Sequence, residues 1–405
     1  MMTTLQYIRE NMRKTVRVYK RHPKGKKSLI GLPYPFTSPC VDGIFREMYY
    51  WDTYFTNKGM FLLELGEQAV NNVRNFMFLL DNYGKIPNGN RVDYLSRSQP
   101  PFFGMMIEDV LKNEPNALSK KEAFCYLEKE YFFWQSLRIT SNGLNRYGCD
   151  LDEKELNRKI HVSGYRKRTG KKVAYTRENA YNILCECESG WDFSPRFSVK
   201  CSEYNPVDLN CLLYKVEILL SDLATAIGDE EKAKTYASTA KVRKEKIVSL
   251  MLKNGFYYDY NYIENRVSEV VSCASLFPFF VGLDDNAKRY SNTLKRLERE
   301  FGLVACDYDE NCYQWSAPNG WAPLIYIAFS AAERLNLKDD ALRIAKKYTK
   351  ATENLFEKTG KLWEKYNAIS GELDFNSEYG TPEMLGWTAG VYVVCKNYIE
   401  KHSNN

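Results

Sequence analysis

The chain has 405 residues and a formal net charge of +6, with 44% hydrophobic and 27% charged residues. That is ample material for a large core, and the modest basic excess excludes a chain built mainly to coat nucleic acid. Its three histidines, His22, His161 and His402, argue against a histidine-based triad or a multi-histidine metal site. No stretch is apolar for long enough to span a bilayer.

The predicted elements are almost all helical. Residues 3–20 read as an amphipathic helix ended by Pro23 and Gly25. A Pro- and Gly-rich loop then leads into Phe45-Arg-Glu-Met-Tyr-Tyr-Trp-Asp52 and a helix running to 65. Val70, Val73, Phe76, Met77 and Leu80 place a second helix over 67–83, stopped by Gly84. A polar loop carrying Ile86-Pro-Asn-Gly-Asn-Arg91 and Tyr94-Leu-Ser-Arg-Ser-Gln-Pro-Pro101 precedes a helix over 102–112. Ser119-Lys-Lys-Glu122 is a capping box that opens the next, running to 138.

Residues 140–202 show no clean helical period and read as an irregular, loop-rich segment. Its basic run, Arg166-Lys-Arg-Thr-Gly-Lys-Lys172, reads as a solvated loop because it lacks the interleaved aromatics of a nucleic-acid groove. Asn205-Pro206 opens a helix with a continuous leucine stripe to Gly228, and another follows over 230–252. Asn254-Gly255 before 256–262 predicts a short hairpin. Helices over 273–281, 285–301, 321–335, 338–356 and 385–400 complete the chain. About twelve helices in pairs, joined alternately by short turns and long polar loops, suit an all-α fold. The architecture expected is an (α/α)6 toroid, a six-hairpin barrel with long loops framing a pocket at one end. No linker is evident, so residues 1–405 read as one catalytic domain.

Function is sought in the loops, because polar and aromatic groups held on a rigid scaffold are where chemistry concentrates. Aromatic content is 14%, with 30 Tyr and 7 Trp, which leans towards sugars, whose C–H faces stack on rings. Within Glu186-Cys-Glu-Ser-Gly-Trp-Asp-Phe-Ser194, Asp192 lies between two large rings just after a glycine. A glycine lets backbone approach a ligand closely, and neighbouring rings lower local polarity around a carboxyl. On these nine residues alone, a capping aspartate beside core rings explains the pattern as well. Glycoside hydrolysis needs a second carboxyl. Glu378 is the candidate, and Glu47, Asp52, Glu178, Glu188 and Glu383 compete on chemistry alone.

From about residue 33 to 398 the sequence resembles the trehalase family of inverting glycoside hydrolases. The resemblance rests on Phe45-Arg-Glu-Met-Tyr-Tyr-Trp-Asp-Thr-Tyr-Phe55, Ile86-Pro-Asn-Gly-Asn-Arg91, Tyr94-Leu-Ser-Arg-Ser-Gln-Pro-Pro101 and Glu188-Ser-Gly-Trp-Asp-Phe-Ser194. Gln314-Trp315, Ala317-Pro-Asn-Gly-Trp-Ala-Pro-Leu324, Trp363-Glu-Lys-Tyr366, Glu378-Tyr379 and Gly386-Trp-Thr-x-Gly390 follow in the family's order. It implies an (α/α)6 barrel, Asp192 as general acid and Glu378 as the base that activates water. It further implies sugar contacts at Phe45, Trp51, Asp52, Asn88, Arg97, Gln99, Gly190, Gln314 and Trp315.

Departures accompany it. Ile44 stands where the family's G-G-R-F-R-E has Arg, and Ser316 where Q-W-D has Asp. The signature R-P-E-S-Y is absent, and Arg177 and Glu178 are its nearest replacements. Altering a pocket that reads hydroxyls alters its ranking of substrates. The expectation is therefore a glycosidase cleaving trehalose or a related small α-glucoside. The alternatives are a glycosidase acting on a glycosylated small acid such as glucosylglycerate, with Arg177 meeting the acid, or a catalytically silent sugar-binding protein. No metal, cofactor, nucleic acid or membrane is expected. The partner is a small sugar, and a monomer is compatible with it. Eleven scattered cysteines without C-x-x-C, and no apolar h-region at the N-terminus, give an expectation of reduced thiols in a cytoplasm.

Overall fold

A computed structural model describes residues 2–25, 27–308, 312–373 and 381–402. α1 (Thr4–Asn11) is opened by a capping box in which Thr3 accepts from the Gln6 N–H and Gln6 accepts from that of Thr3. It is shorter than the periodicity predicts. A 3-10 turn follows, and Val16–Arg17 pairs as a strand with Phe36–Thr37. The β-branched Thr15, Val16 and Val18 prefer that extended backbone.

Two hairpins follow, α2 (Tyr50–Leu62) with α3 (Gly66–Tyr83) and α4 (Phe103–Asn113) with α5 (Lys120–Leu137). The segment read as irregular contains three helices, α6 (Glu153–Leu156), α7 (Ile160–Thr169) and α8 (Arg177–Glu188). The apolar period fails there for a physical reason. α7 buries Val162, Tyr165 and Thr169 beneath a basic surface, and the buried face of α8 carries Asn182, Glu186 and Glu188 among its apolar residues. Both helices pack over a small core of their own, with Leu156, Ile183, Leu184, Phe193 and Tyr313.

α9 (Val207–Ala226) and α10 (Glu230–Met251) form the longest hairpin. Leu252–Lys253 then pairs with Phe256–Tyr257 around Asn254-Gly255, the predicted hairpin. A 3-10 turn leads into α11 (Phe277–Phe280), followed by α12 (Ala287–Leu297). α13 (Ala322–Arg334), α14 (Lys338–Thr359) and α15 (Gly386–His402) end the chain.

α2, α4, α9, α11, α13 and α15 pack each on the next, and α15 returns to α2, so the inner ring closes. Inner helices such as α2 and α13 are buried on nearly every face, whereas the outer α10 and α14 bury one stripe. This is the (α/α)6 toroid. Its closure depends on two glycines, because a β-carbon on Gly59 would come within 2.5 Å of the Gly390 Cα. The loops at 45–49, 86–101, 314–321 and 381–385 each lead directly into the N-terminus of an inner helix. The predicted site residues in these loops are thereby carried to one end of the ring.

Candidate active site

At that end lies a cavity of about 440 Å³. Its floor is aromatic. Trp315 stacks on Trp321 at 3.8 Å with the rings 4° from parallel, and lies 5.6 Å from Trp51. Trp191 backs Trp315 at 5.3 Å, and Trp387 meets Trp51 edge-on. Such a stack is stiff, and its ring edges and faces give the cavity an apolar floor. Gly190 is required where it stands. Its φ is +75°, and a β-carbon there would meet the Trp51 ring at 2.9 Å.

The polar lining is held from behind. Gln99 Oε1 accepts from the Trp51 N–H at 3.1 Å, satisfying one open donor in the first turn of α2. Asn88 donates to the Cys187 carbonyl at 3.3 Å. Arg97 lies over the Tyr94 ring at 5.1 Å. The Gln314 amide donates to the Asp192 carbonyl, while its own backbone carbonyl accepts from Trp321 Nε1 at 3.1 Å. Arg97 Nε and Gln314 Oε1 are buried with no hydrogen-bond partner among the described residues. Buried polar atoms are nearly always paired, so these two atoms leave hydrogen-bonding capacity unmet at the cavity wall.

Among the described residues, three carboxyls border the cavity. Asp192 is 30% exposed, and its Oδ2 accepts from Arg168 Nη2 at 2.7 Å. Asp52 is fully buried. Burial, with the charges of Glu364 and Asp192 adding to it, pushes its carboxyl up to about 8. Glu364 is buried and accepts from Lys365 at 3.0 Å. It is fixed by the pairing of Lys365–Asn367 with Asn319–Trp321 and by the Trp387 indole, which donates to its carbonyl at 3.0 Å.

Phe45, Trp51, Asp52, Asn88, Arg97, Gln99, Gly190, Asp192, Gln314 and Trp315 all line this one cavity. Arg177 and Glu178 do not. Thr176 caps α8, so both residues fall in its exposed first turn, where Arg177 pairs with Glu153 at 2.7 Å. The basic run is also corrected. Its first half is the last turn of α7, and Arg168 reaches the cavity. Of the competing carboxylates, Glu47 accepts from Arg91, and Glu188 accepts from Arg138, Ser98 N and Gly148 N. Both lock loops together instead of facing the cavity. Glu383 pairs with Lys361 at the surface. Glu378 lies outside the described residues.

Sequence reasoning assigned no role to Arg168, Glu364, Tyr94, Trp321 or Trp387, all of which line the cavity. Glu364 sat in plain view inside the Trp363–Tyr366 motif. Arg168 had no signal beyond a run of positive charge. Among the described residues, no group of three or more His, Cys, Asp or Glu is arranged as a metal site, and no helix is long and apolar enough to cross a membrane.

A closed helical toroid with a tryptophan-floored, carboxyl-bordered cavity at the inner-helix N-termini defines a glycoside hydrolase of the six-hairpin class. A family model described as trehalase matches residues 2–399, and the chain belongs to the trehalase family. It is 33% identical to the periplasmic trehalase of Xanthomonas oryzae pv. oryzae (strain MAFF 311018), across 93% of this chain and 70% of that protein. It is 32% identical to that of Salmonella choleraesuis (strain SC-B67), across 95% and 72%. The structure of neutral trehalase Nth1 from Saccharomyces cerevisiae is similar with a TM-score of 0.78 and 26% identity, across 99% of this chain and 81% of that one. A mannosylglycerate hydrolase from Thermus thermophilus, at 16% identity and a TM-score of 0.62 over 96% of this chain and 98% of that one, shares the fold.

These relatives overturn the cytoplasmic expectation, since those at 32–34% identity are named periplasmic trehalases. All eleven cysteines are free thiols. A core this large is stable without cross-links, so the lack of disulfides carries no address.

Proposed function

We propose that this protein hydrolyses α,α-trehalose to two molecules of glucose with inversion at the attacked carbon. Asp192 gives a proton to the glycosidic oxygen as the C–O bond breaks. Water attacks the anomeric carbon from the opposite face, and Glu378 takes the proton that water releases. The sugar rings lie on the tryptophan floor, and Asn88, Arg97, Gln99 and Gln314 read the hydroxyls. Asp52, with its carboxyl raised to about 8, stays protonated at neutral pH and donates a hydrogen bond to a hydroxyl. The volume of about 440 Å³ falls in the range of sites that enclose small molecules.

The observation that carries this reading is the convergence of Asp192 with four hydroxyl-reading side chains on one aromatic floor. Arg177, the residue expected to meet the acid of a glycosylated acid, is not among the residues lining that cavity and pairs with Glu153 at the surface. Glucose release from trehalose, measured beside a panel of α-glucosides, tests the reading. Turnover of trehalose by the unaltered protein and its loss in Asp192→Asn are expected. An unaltered protein inert on the whole panel, or a fully active Asp192→Asn, would sink it.

A further inference from the structure

We infer that Arg168 is the positioning residue of the proton donor, supplied by α7 from outside the loops that carry the rest of the site. The inference rests on the reading of Asp192 as the general acid. Arg168 Nη2 donates to the Asp192 backbone carbonyl at 2.8 Å and to its Oδ2 at 2.7 Å. One nitrogen thus spans main chain and side chain of the same residue and fixes the carboxyl against its own backbone. The guanidinium plane is itself held over the Phe193 ring at 4.4 Å. Phe193 packs edge-on against Tyr165, one turn before Arg168 on α7, with ring centroids 4.7 Å apart. Helix, ring and acid therefore form one rigid unit. The small core beneath α7 and α8 sets the aim of Asp192.

This arrangement assigns the two carboxyl oxygens. Oδ2 is engaged by Arg168, so Oδ1 carries the proton that passes to the glycosidic oxygen. A guanidinium suits the task better than an ammonium, because its planar fork restrains orientation as well as distance. A proton donor misaimed by a fraction of an ångström loses much of its advantage, and general acid catalysis is worth about 10²–10⁴ in rate.

The test compares two substrates that differ in their need for a proton. Trehalose requires protonation of its leaving oxygen, whereas fluoride leaves α-glucosyl fluoride without it. In Arg168→Gln, kcat on trehalose should fall about 100-fold with KM within about threefold, and kcat on the fluoride should stay within about tenfold. Turnover of the fluoride also shows that the variant is folded. Arg168→Lys should recover part of the trehalose rate. Equal losses on the two substrates, or a loss confined to KM, would overturn the role of Arg168 alone. Inactivity of the unaltered enzyme on both substrates would overturn the hydrolase reading and this inference with it.

Discussion

The wall formed by Trp51, Asn88, Arg97, Gln99, Gln314 and Trp315 and the wall formed by Ile44 and Arg168 face the same cavity but are built differently. The first grows from the starts of inner helices and the loops that run into them, and several of its side chains brace the ring itself. Gln99 satisfies the start of α2, and Trp315 is clamped between Trp191 and Trp321. The second is assembled from outside the ring. Arg168 arrives on α7 over a separate small core, and Ile44 is 67% exposed at the mouth. The first wall can change little without cost to the core. The second contributes less to the core, and Ile44 on it is one departure from the family pattern, while Ser316 next to Trp315 is another.

The sharpest way to break this contrast is at the residue where the walls meet. Asp192→Asn should reduce kcat on trehalose by about 10³-fold or more while leaving the thermal midpoint nearly unchanged, since removing a general acid costs chemistry and little packing. Comparable loss of stability would place Asp192 in the scaffold. On the first wall, Trp315→Ala should lower stability in urea by about 3–5 kcal/mol, as expected for a large aromatic removed from a packed core. A variant as stable as the unaltered protein would show that the tryptophan floor is not part of the ring.

Behind the second wall, Glu186 is fully buried, and burial pushes its carboxyl up to about 8, with backbone hydrogen bonds from Ser194 and Val199 opposing and the Asp192 charge adding. A raised carboxyl means that the folded state holds its proton where the unfolded chain has lost it. Stability should therefore fall as pH rises from about 4.5 towards 8, by at most about 1.4 kcal/mol per pH unit for this group. Glu186→Gln should flatten that slope, matching the unaltered protein near pH 5 and exceeding it near pH 8.5 in thermal melts. An unchanged slope would contradict the assignment. The smallest effect is expected at Arg177→Ala, outside both walls. An exposed ion pair is worth about 0–1 kcal/mol, so kinetics and stability should barely move.

The same contrast explains what was legible in the sequence. The ring was readable because inner helices leave long apolar runs, as in α9 and α13, and because Gly84 ends the outer α3 and Ser119 opens the outer α5. The first wall was readable because its residues fall in contiguous strings that run into the starts of inner helices. α7 and α8 were not readable. α7 buries only Val162, Tyr165 and Thr169 beneath basic residues, and the buried face of α8 mixes Asn182, Glu186 and Glu188 with apolar residues, so no period emerges. Arg168 looked like its neighbours Arg166 and Lys167, and a side chain's direction is decided by the core beneath it, which local sequence does not display. Arg177 was chosen for its residue type, while the cap at Thr176 turned it to solvent.

The central claim is inverting hydrolysis of trehalose, and the anomers released test it most directly. Proton NMR of the first seconds of a digest, before mutarotation, should show α- and β-glucose in equal amounts, because one carbon is inverted and the other is untouched. Release of α-glucose alone would mean retention, and would contradict the assignment of Asp192 as acid with a water-activating base opposite.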